Sequence, residues 1–179
     1  AHVGMTADEV FSACVPAIFK LYAYDYKHNI LGIGSGVVLS ARGDAVTCGH
    51  LVNGVYTLEA EMYDGTRRNV TIYSFDADIA HIRVVGSTLP YLGVTTEVEK
   101  GDTVYALGNP LGLGLAMSRG IVSATAHKAD LSTLPCIVSD ATISRGSSGG
   151  ALLNEYGRAV AVTTGAYVYG NNMYLCVPL

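Results

Sequence analysis

The sequence predicts an all-β protein, a sandwich or barrel of short strands, and three observations support this prediction. Half of the 179 residues are hydrophobic, 15% are charged and 21 are glycine, a balance that suits many buried strands joined by tight turns. Short apolar runs recur along the whole chain, and turn residues separate them. No long helical pattern interrupts them. The length therefore suits one large all-β domain or two small barrels.

The first half of the chain begins with a short helix and continues as strands. Thr6 and Glu9 have the spacing of a capping box, which predicts a helix over residues 7–13 that ends before Pro16. Asp64-Gly65 lies between two apolar runs and is a strong hairpin signal. The predicted strands of this half are residues 17–24, 31–40, 45–47, 57–63, 69–73 and a β-rich run at 75–84.

The second half repeats the pattern of short strands. Residues 86–92 mix Gly, Ser, Thr and Pro without charge, so we place a domain junction there and expect domains at 1–88 and 89–179. The predicted strands of the second domain are residues 103–107, 115–125, 136–143, 151–153, 159–166 and 173–177.

The most informative stretch is Asp-Ala-Thr-Ile-Ser-Arg-Gly-Ser-Ser-Gly-Gly at residues 140–150. Ser148 is followed by Gly149 and Gly150, which leave a small hydroxyl uncovered on a sharply turned backbone, as a serine nucleophile requires. The main-chain N–H groups of Gly146 and Ser148 can turn toward one point and form an oxyanion hole. A flexible Ser/Gly linker has a similar composition. The apolar run that resumes at once, at residues 151–153, favours a packed domain instead.

Chain order decides which kind of serine hydrolase this stretch fits. Gly-Ser-Ser-Gly-Gly also matches the nucleophile elbow of α/β-hydrolases, in which the acid and the histidine follow the serine. Neither histidine nor aspartate occurs after Ser148, whereas the order histidine, aspartate, serine is available. His50, at the end of a buried strand, is the candidate base, with a purely structural histidine as the alternative. Asp78 is a candidate partner only if it meets His50.

Charge and cysteine content limit the other functions. The net charge of −4 offers no basic stripe for nucleic acid, so we expect protein or peptide partners. The four cysteines lie far apart in apolar contexts, so we expect buried thiols, no metal site and no cofactor, although the sequence leaves disulfides open. No apolar run approaches the length of about 20 residues that a membrane span requires, so we expect no membrane contact from this segment.

In this order, five segments resemble the trypsin-like serine proteases of the HtrA/Deg type over residues 10–178. They are Gly34-Ser35-Gly36-Val37-Val38, His50-Leu51-Val52, Asp78-Ile79-Ala80, residues 101–123 and residues 140–154. The resemblance implies two six-stranded antiparallel β-barrels with the catalytic groups between them. It also implies an extracytoplasmic or cell-envelope location and is compatible with a homo-oligomer. Only Leu179 follows Pro178, so we expect a protease domain without the PDZ domain that many relatives carry, either because the sequence was cut there or because this member lacks one.

Carried onto this sequence, the resemblance makes His50 the general base, Asp78 its orienting carboxylate and Ser148 the nucleophile. Gly146 and Ser148 become the oxyanion-hole donors. The chemistry agrees, because a serine hydroxyl needs an imidazole to take its proton at neutral pH. The implied function is a serine endopeptidase acting on misfolded or unstructured proteins. The alternatives are a catalytically silent peptide-binding module of the same fold and an esterase.

The resemblance also implies a substrate pocket, in which this sequence departs from trypsin. Thr142 stands at the bottom position where trypsin has an aspartate, so a buried cation would have no partner and Lys and Arg should be rejected. Relatives usually have Asn at Ser147 and Pro at Arg145, and zymogen cleavage is not implied. The other expected pocket residues are Ile143, Thr163, Thr164, Gly165 and Tyr174. An inward-pointing ring of Tyr174 would favour Ala or Val over Phe.

Overall fold

The computed structural model describes residues 4–76, 79–109, 114–128, 135–144, 147–168 and 173–179. Two helices, α1 (Ala7–Cys14) and α2 (Gly49–Val52), and a short 3-10 turn (Val15–Ala17) accompany the strands. The strands of the first half are β1 (Ile18–Tyr24), β2 (Ile30–Val38), β3 (Asp44–Cys48), β4 (Thr57–Glu61), β5 (Arg67–Phe75) and β6 (Ile79–Val84). Those of the second half are β7 (Thr103–Gly108), β8 (Ala116–Lys128), β9 (Pro135–Ser139), β10 (Ala151–Asn154), β11 (Ala159–Val168) and β12 (Tyr174–Pro178).

The strands form two closed antiparallel barrels. The first has the order β1-β2-β3-β6-β5-β4, and the second has the order β7-β8-β9-β12-β11-β10. The second order is the first with every number raised by six, so the two halves share one topology although no repeat is visible in the sequence. The prediction of two six-stranded antiparallel barrels with a short N-terminal helix is confirmed.

Local signals explain where the first elements begin and turn. The capping box of α1 is present, since the Glu9 N–H donates to Thr6 Oγ1 (3.3 Å) and the Thr6 N–H donates to Glu9 Oε1 (3.2 Å). In the hairpin between β4 and β5, Gly65 has a φ of 84°. The carboxylate of Asp64 accepts from the Thr66 N–H (3.0 Å) in the same turn.

Two predictions of local structure are wrong. The strand predicted at 136–143 ends at Ser139, because side chains capture the donors that a longer ladder would use. Ser139 Oγ accepts from the Ala141 N–H (3.0 Å), and Asp140 Oδ1 accepts from the Ile121 N–H (2.7 Å). The segment after Cys48 is also not simply a strand end, because residues 49–52 form the single turn α2.

Three large apolar clusters fill the described part of the molecule, and a fourth, smaller one consists of Cys136, Val138 and Leu175 on β9 and β12. One lies inside the first barrel and one inside the second. The third, which we call the interface cluster, joins α1 to both barrels. Its members include Val10, Val37, Cys48, Leu107, Leu153 and Val162. Because this cluster is continuous from one barrel to the other, packing fixes the relative position of β3, which leads into His50, and β10, which follows the loop of Ser148.

The state of the cysteines and the length of the helices complete the description of the fold. All four cysteines are free and buried, as the expectation of buried thiols required. Across the described ranges, no helix has the length and hydropathy needed to cross a bilayer.

Candidate active site

His50 is positioned by the junction between β3 and α2. β3 ends in the buried Cys48, and the chain then turns into α2, so that the imidazole leaves the barrel wall toward solvent. The ring is nevertheless partly enclosed, and this burial lowers the pKa of His50 below its ordinary value of 6.5. Its Nε2 lies 3.6 Å from Cys48 Sγ. The described part of the chain shows no hydrogen bond between His50 and Ser148.

Main-chain hydrogen bonds fix the loop that carries Ser148. The Gly149 N–H donates to the Thr163 carbonyl (2.7 Å) of β11, and the Thr163 N–H donates to the Gly150 carbonyl (3.0 Å). The Gly150 N–H donates to the Ser147 carbonyl (3.0 Å), which Thr163 Oγ1 also contacts (3.0 Å). The turn is therefore held by β11, while the Ser148 residue itself is only half-buried.

The same loop is tied to the first barrel. The Ser35 N–H in β2 donates to the main-chain oxygen of Ser148 (2.8 Å). Thr47 Oγ1 donates to the Ser35 carbonyl (2.7 Å), and Ser35 Oγ accepts from the Asn109 N–H (2.9 Å). Ser35 and Thr47 are completely buried, so these bonds form without competition from water. The nucleophile candidate is thereby placed at the contact between the barrels.

Two glycines are required by this close approach. A Cβ on Gly34 would lie 2.9 Å from the main-chain carbonyl oxygen of Ser148. Gly149 has a φ of 89°, and a Cβ there would overlap the Ser35 carbonyl and Thr47 Oγ1. The glycines of the Gly34-Ser35-Gly36 segment and of the serine loop are thus two halves of one contact between backbones.

The two adjacent serines have different environments. Ser147 is 8% exposed, and a Cβ on Gly108 would lie 3.0 Å from the Ser147 Cβ. The Ser147 Cβ therefore lies against β7 of the second barrel. Ser148 is the more exposed residue of the pair.

Asp78, Arg145 and Gly146 lie outside the described residues, so the predicted roles of Asp78 and Gly146 remain predictions. The two competing aspartates are described. Asp76 Oδ1 accepts from the Ile79 N–H (3.0 Å), and Asp102 Oδ2 accepts from the Glu99 N–H (2.8 Å) beside β7.

A pocket of about 150 Å³ adjoins the serine loop. Three of the predicted pocket residues line it, namely Thr142, Ile143 and Thr163. Its remaining lining comes from Ala106, Leu107, Gly108, Ala116, Met117, Ser118, Ser144 and Ser147. None of these described residues is charged. The pocket is bounded in part by a hydrogen bond from Ser118 Oγ to the Thr142 carbonyl (2.6 Å).

The other predicted pocket residues lie elsewhere in the second barrel. Thr164 is buried, and its hydroxyl donates to the Leu175 carbonyl (3.0 Å). Gly165 follows it in β11. Tyr174 begins β12 and pairs with Ser139, and it is not among the described residues that line the pocket.

Two contributors to the site were missed by sequence reasoning. Thr47 stabilises the carbonyl of Ser35, and Cys48 contacts the ring of His50. The signal for Thr47 was present, because a hydroxyl inside the apolar strand Ala-Val-Thr-Cys must find a partner when buried. Nothing comparable marked Cys48, which has the composition of an ordinary core residue.

Comparison with known proteins agrees with this geometry. Residues 34–162 match the family described as the trypsin-like peptidase domain. The chain is 33% identical over 182 residues to the serine endoprotease DegS of Haemophilus influenzae, covering 89% of this chain and 53% of that protein. It is 34% identical over 141 residues to the periplasmic pH-dependent serine endoprotease DegQ of Escherichia coli, covering 74% of this chain and 31% of that protein.

Solved structures give the same result. The serine endoprotease from Yersinia pestis superposes with a TM-score of 0.85 at 26% identity, covering 99% of this chain and 64% of that one. The HtrA-type protease AlgW with a tripeptide has a TM-score of 0.85 at 26% identity, covering 97% of this chain and 60% of that one. The chain thus spans about a third to two thirds of the proteins that it matches. Fold, family match and sequence identity together establish that this chain belongs to the trypsin-like peptidase domains of the HtrA/Deg type.

Proposed function

We propose that this chain is a serine endopeptidase domain in which Ser148 attacks the peptide carbonyl and His50 takes the serine proton. The observation that carries the proposal is the fixed position of Ser148. Its carbonyl accepts a hydrogen bond from the Ser35 N–H of the first barrel, and the N–H of its neighbour Gly149 donates to the Thr163 carbonyl of the second. Because the fold already holds the nucleophile in place, little positional entropy is lost when substrate binds.

The proposed cycle uses one base and one nucleophile. His50 Nε2 accepts the Ser148 Oγ proton as Oγ bonds to the carbonyl carbon, and the resulting imidazolium gives that proton to the leaving amine. Water then attacks the acyl-enzyme with His50 again as base. Burial lowers the pKa of His50, which keeps the imidazole neutral and ready to accept a proton near neutral pH.

Asp78 is proposed to hold the Nδ1–H of His50 and to stabilise the imidazolium. Asp78 immediately precedes β6, whose Ile79 pairs with Cys48 two residues before His50. Asp76 instead caps the Ile79 N–H, and Asp102 binds its own loop in the second half of the chain.

The oxyanion hole is proposed to consist of the N–H groups of Gly146 and Ser148. Gly149 cannot serve, because its N–H already donates to Thr163. The Ser148 N–H has no partner among the described residues. One such donor contributes about 3 kcal/mol to transition-state stabilisation in comparable enzymes.

The substrates are proposed to be unstructured or misfolded proteins that present an uncharged side chain before the cleaved bond. The uncharged lining of the pocket beside Ser147 supports this choice, because a lysine or arginine would lose its hydration there without gaining a carboxylate.

Labelling with a fluorophosphonate tests the proposed function. Wild-type protein should be labelled once, at Ser148, and should cleave unfolded casein. Ser148→Ala and His50→Ala should lose both reactions while keeping the circular dichroism spectrum of the wild type. A folded wild-type protein that neither reacts nor cleaves would instead be the silent peptide-binding module.

A further inference from the structure

The only described side chain within hydrogen-bond distance of the His50 ring is the thiol of Cys48. Its Sγ lies 3.6 Å from Nε2, the nitrogen that a triad histidine directs at its serine. Cys48 ends β3 inside the interface cluster and is completely buried, so its position is set by the core and not by the loop that follows.

Other ionisable groups lie on the elements that pack against α2, the helix that carries His50. α2 packs against β2, β3, β5 and β6. β2 has no titratable side chain, and on β3 Asp44 is paired with Arg42. The remaining groups on β5 and β6 are Arg67, Arg68, Tyr73, His81 and Arg83. None of the described residues among them hydrogen-bonds the ring. Asp78, the proposed partner of Nδ1, precedes β6.

The direction of the Cys48–His50 contact depends on the protonation of both groups and on the tautomer of the ring. Burial raises the pKa of the Cys48 thiol to about 11, so the thiol keeps its proton at neutral pH. Burial also lowers the pKa of His50, so the imidazole is neutral. With the ring proton on Nδ1, the neutral thiol donates S–H to the unprotonated Nε2, whereas the other tautomer would donate Nε2–H to the sulfur.

We propose that Cys48 is a positioning residue for the proteolytic reaction, whose thiol holds His50 Nε2 and competes with Ser148 for that lone pair. The inference rests on the proposed function, since it takes His50 as the base. In the resting enzyme the imidazole has the tautomer that catalysis needs, but its lone pair is directed to sulfur. Before Nε2 can accept the Ser148 proton, it must lose its hydrogen bond from the Cys48 S–H and accept one from the Ser148 O–H.

Replacing the thiol therefore has a specific kinetic signature. Cys48→Ala removes the competing donor, so the rate constant for fluorophosphonate labelling should rise about threefold. The acid limb of its pH profile should move to higher pH by about half a unit, because the neutral imidazole loses a donor that stabilised it. Cys48→Ser keeps a donor, and its limb should lie between those of Cys48→Ala and wild type. Cys14→Ala, in the same cluster but bonded to the Gly157 carbonyl, should leave the limb unchanged.

The experiment separates failure of this inference from failure of the proposed function. If His50→Ala reacted as fast as wild type, His50 would not be the base and the proposed function would be wrong. If His50→Ala were inert while Cys48→Ala kept the wild-type limb, Cys48 would have only a packing role. Should Cys48→Ala fail to fold, long-range ¹H–¹⁵N spectra of Ser148→Ala protein at neutral pH provide the decision. Protonated Nδ1 with an unprotonated Nε2 that accepts a hydrogen bond agrees with the inference, and a protonated Nε2 or an unprotonated Nε2 without a hydrogen bond overturns it.

Discussion

At the residue scale, the contrast between two adjacent serines yields the first prediction. Ser148→Ala should lower kcat/KM for a casein-derived peptide by about 10⁴-fold or more, because only binding and the oxyanion donors survive. Ser147→Ala should remain within about tenfold of wild type, since the Ser147 side chain is buried against Gly108. Steady-state kinetics of both variants check this, and loss of activity in Ser147→Ala alone would reverse the assignment.

The second prediction at this scale concerns the pH dependence of His50. Burial lowers the pKa of the imidazole below 6.5, so the neutral base persists to lower pH than in a free histidine. The acid limb of kcat/KM should therefore lie below pH 6.5, with activity lost as the pH falls through the folded-state pKa. A limb above that value would mean that a carboxylate outweighs burial in solution. Asp78→Asn should then restore a lower limb.

The sequence was most informative for residues whose chemistry is local. Ser148 and His50 could be chosen because chain order excludes the α/β-hydrolase arrangement and the flanking glycines need a sharp turn. The contact between Cys48 and His50 could not be predicted in the same way. It depends on the entry of α2 immediately after β3, a geometry that no single residue type announces.

At the element scale, the serine loop depends on a backbone that only glycine adopts easily. Gly149→Ala should cost about 1–2 kcal/mol for its φ of 89° alone, and the overlap of the new Cβ with Ser35 and Thr47 adds to that. The loop should shift and most activity should be lost. Gly65→Ala is the matched control, because it has a φ of 84° but open space around the added carbon.

Urea unfolding and peptide cleavage distinguish the two variants. Gly65→Ala should show the conformational cost alone with near-normal cleavage. Equal loss of activity in both variants would show that contacts between the serine loop and β2 do not position Ser148.

The uncharged pocket next to this loop gives the second test at the element scale. A peptide library varied only at the residue before the cleaved bond should show Val or Leu preferred over Lys by about 10-fold or more, because burial of an unpaired ammonium costs several kcal/mol. Efficient cleavage after Lys or Arg would contradict the pocket assignment. Efficient cleavage after Phe would agree with the absence of Tyr174 from the described residues that line the pocket.

Element boundaries show where sequence patterns stop being sufficient. The capping box fixed the start of α1, because all its partners are local. The end of β9 depends on Asp140 accepting from Ile121 in a neighbouring strand, a contact distant in sequence. The junction placed between residues 88 and 89 falls between β6 and β7, but the segment there also bonds back to the first barrel, since the Leu92 N–H donates to the Val38 carbonyl (3.0 Å). That boundary stays a prediction.

At the scale of the whole molecule, the two proposed catalytic residues are divided between the barrels. His50 belongs to the first and Ser148 to the second, so their separation is set by the interface cluster and by the hydrogen bonds of Ser35. The amphipathic patterns predicted the strands of both barrels but not this shared cluster. Its residues alternate along the strands in the same way as residues that face a barrel interior.

Leu152 and Leu153 test this division with the least change to the chain. They are neighbours in β10 and both are completely buried, but Leu152 faces the interior of the second barrel and Leu153 faces the interface cluster. Truncation of either leucine to alanine should cost about 2–5 kcal/mol of folding free energy, because each substitution leaves a cavity in a buried cluster. Urea unfolding should therefore rank the two variants together.

Activity should separate them. Measured at a temperature where circular dichroism shows both variants folded, Leu152→Ala should keep kcat/KM within about threefold of wild type, because the barrel interior does not set the distance between His50 and Ser148. Leu153→Ala should lose about 10-fold or more, since a small displacement between a base and its nucleophile is costly. If both variants lost activity equally, the barrels would behave as one cooperative body, and the interface cluster would have no separate role in aligning the catalytic residues.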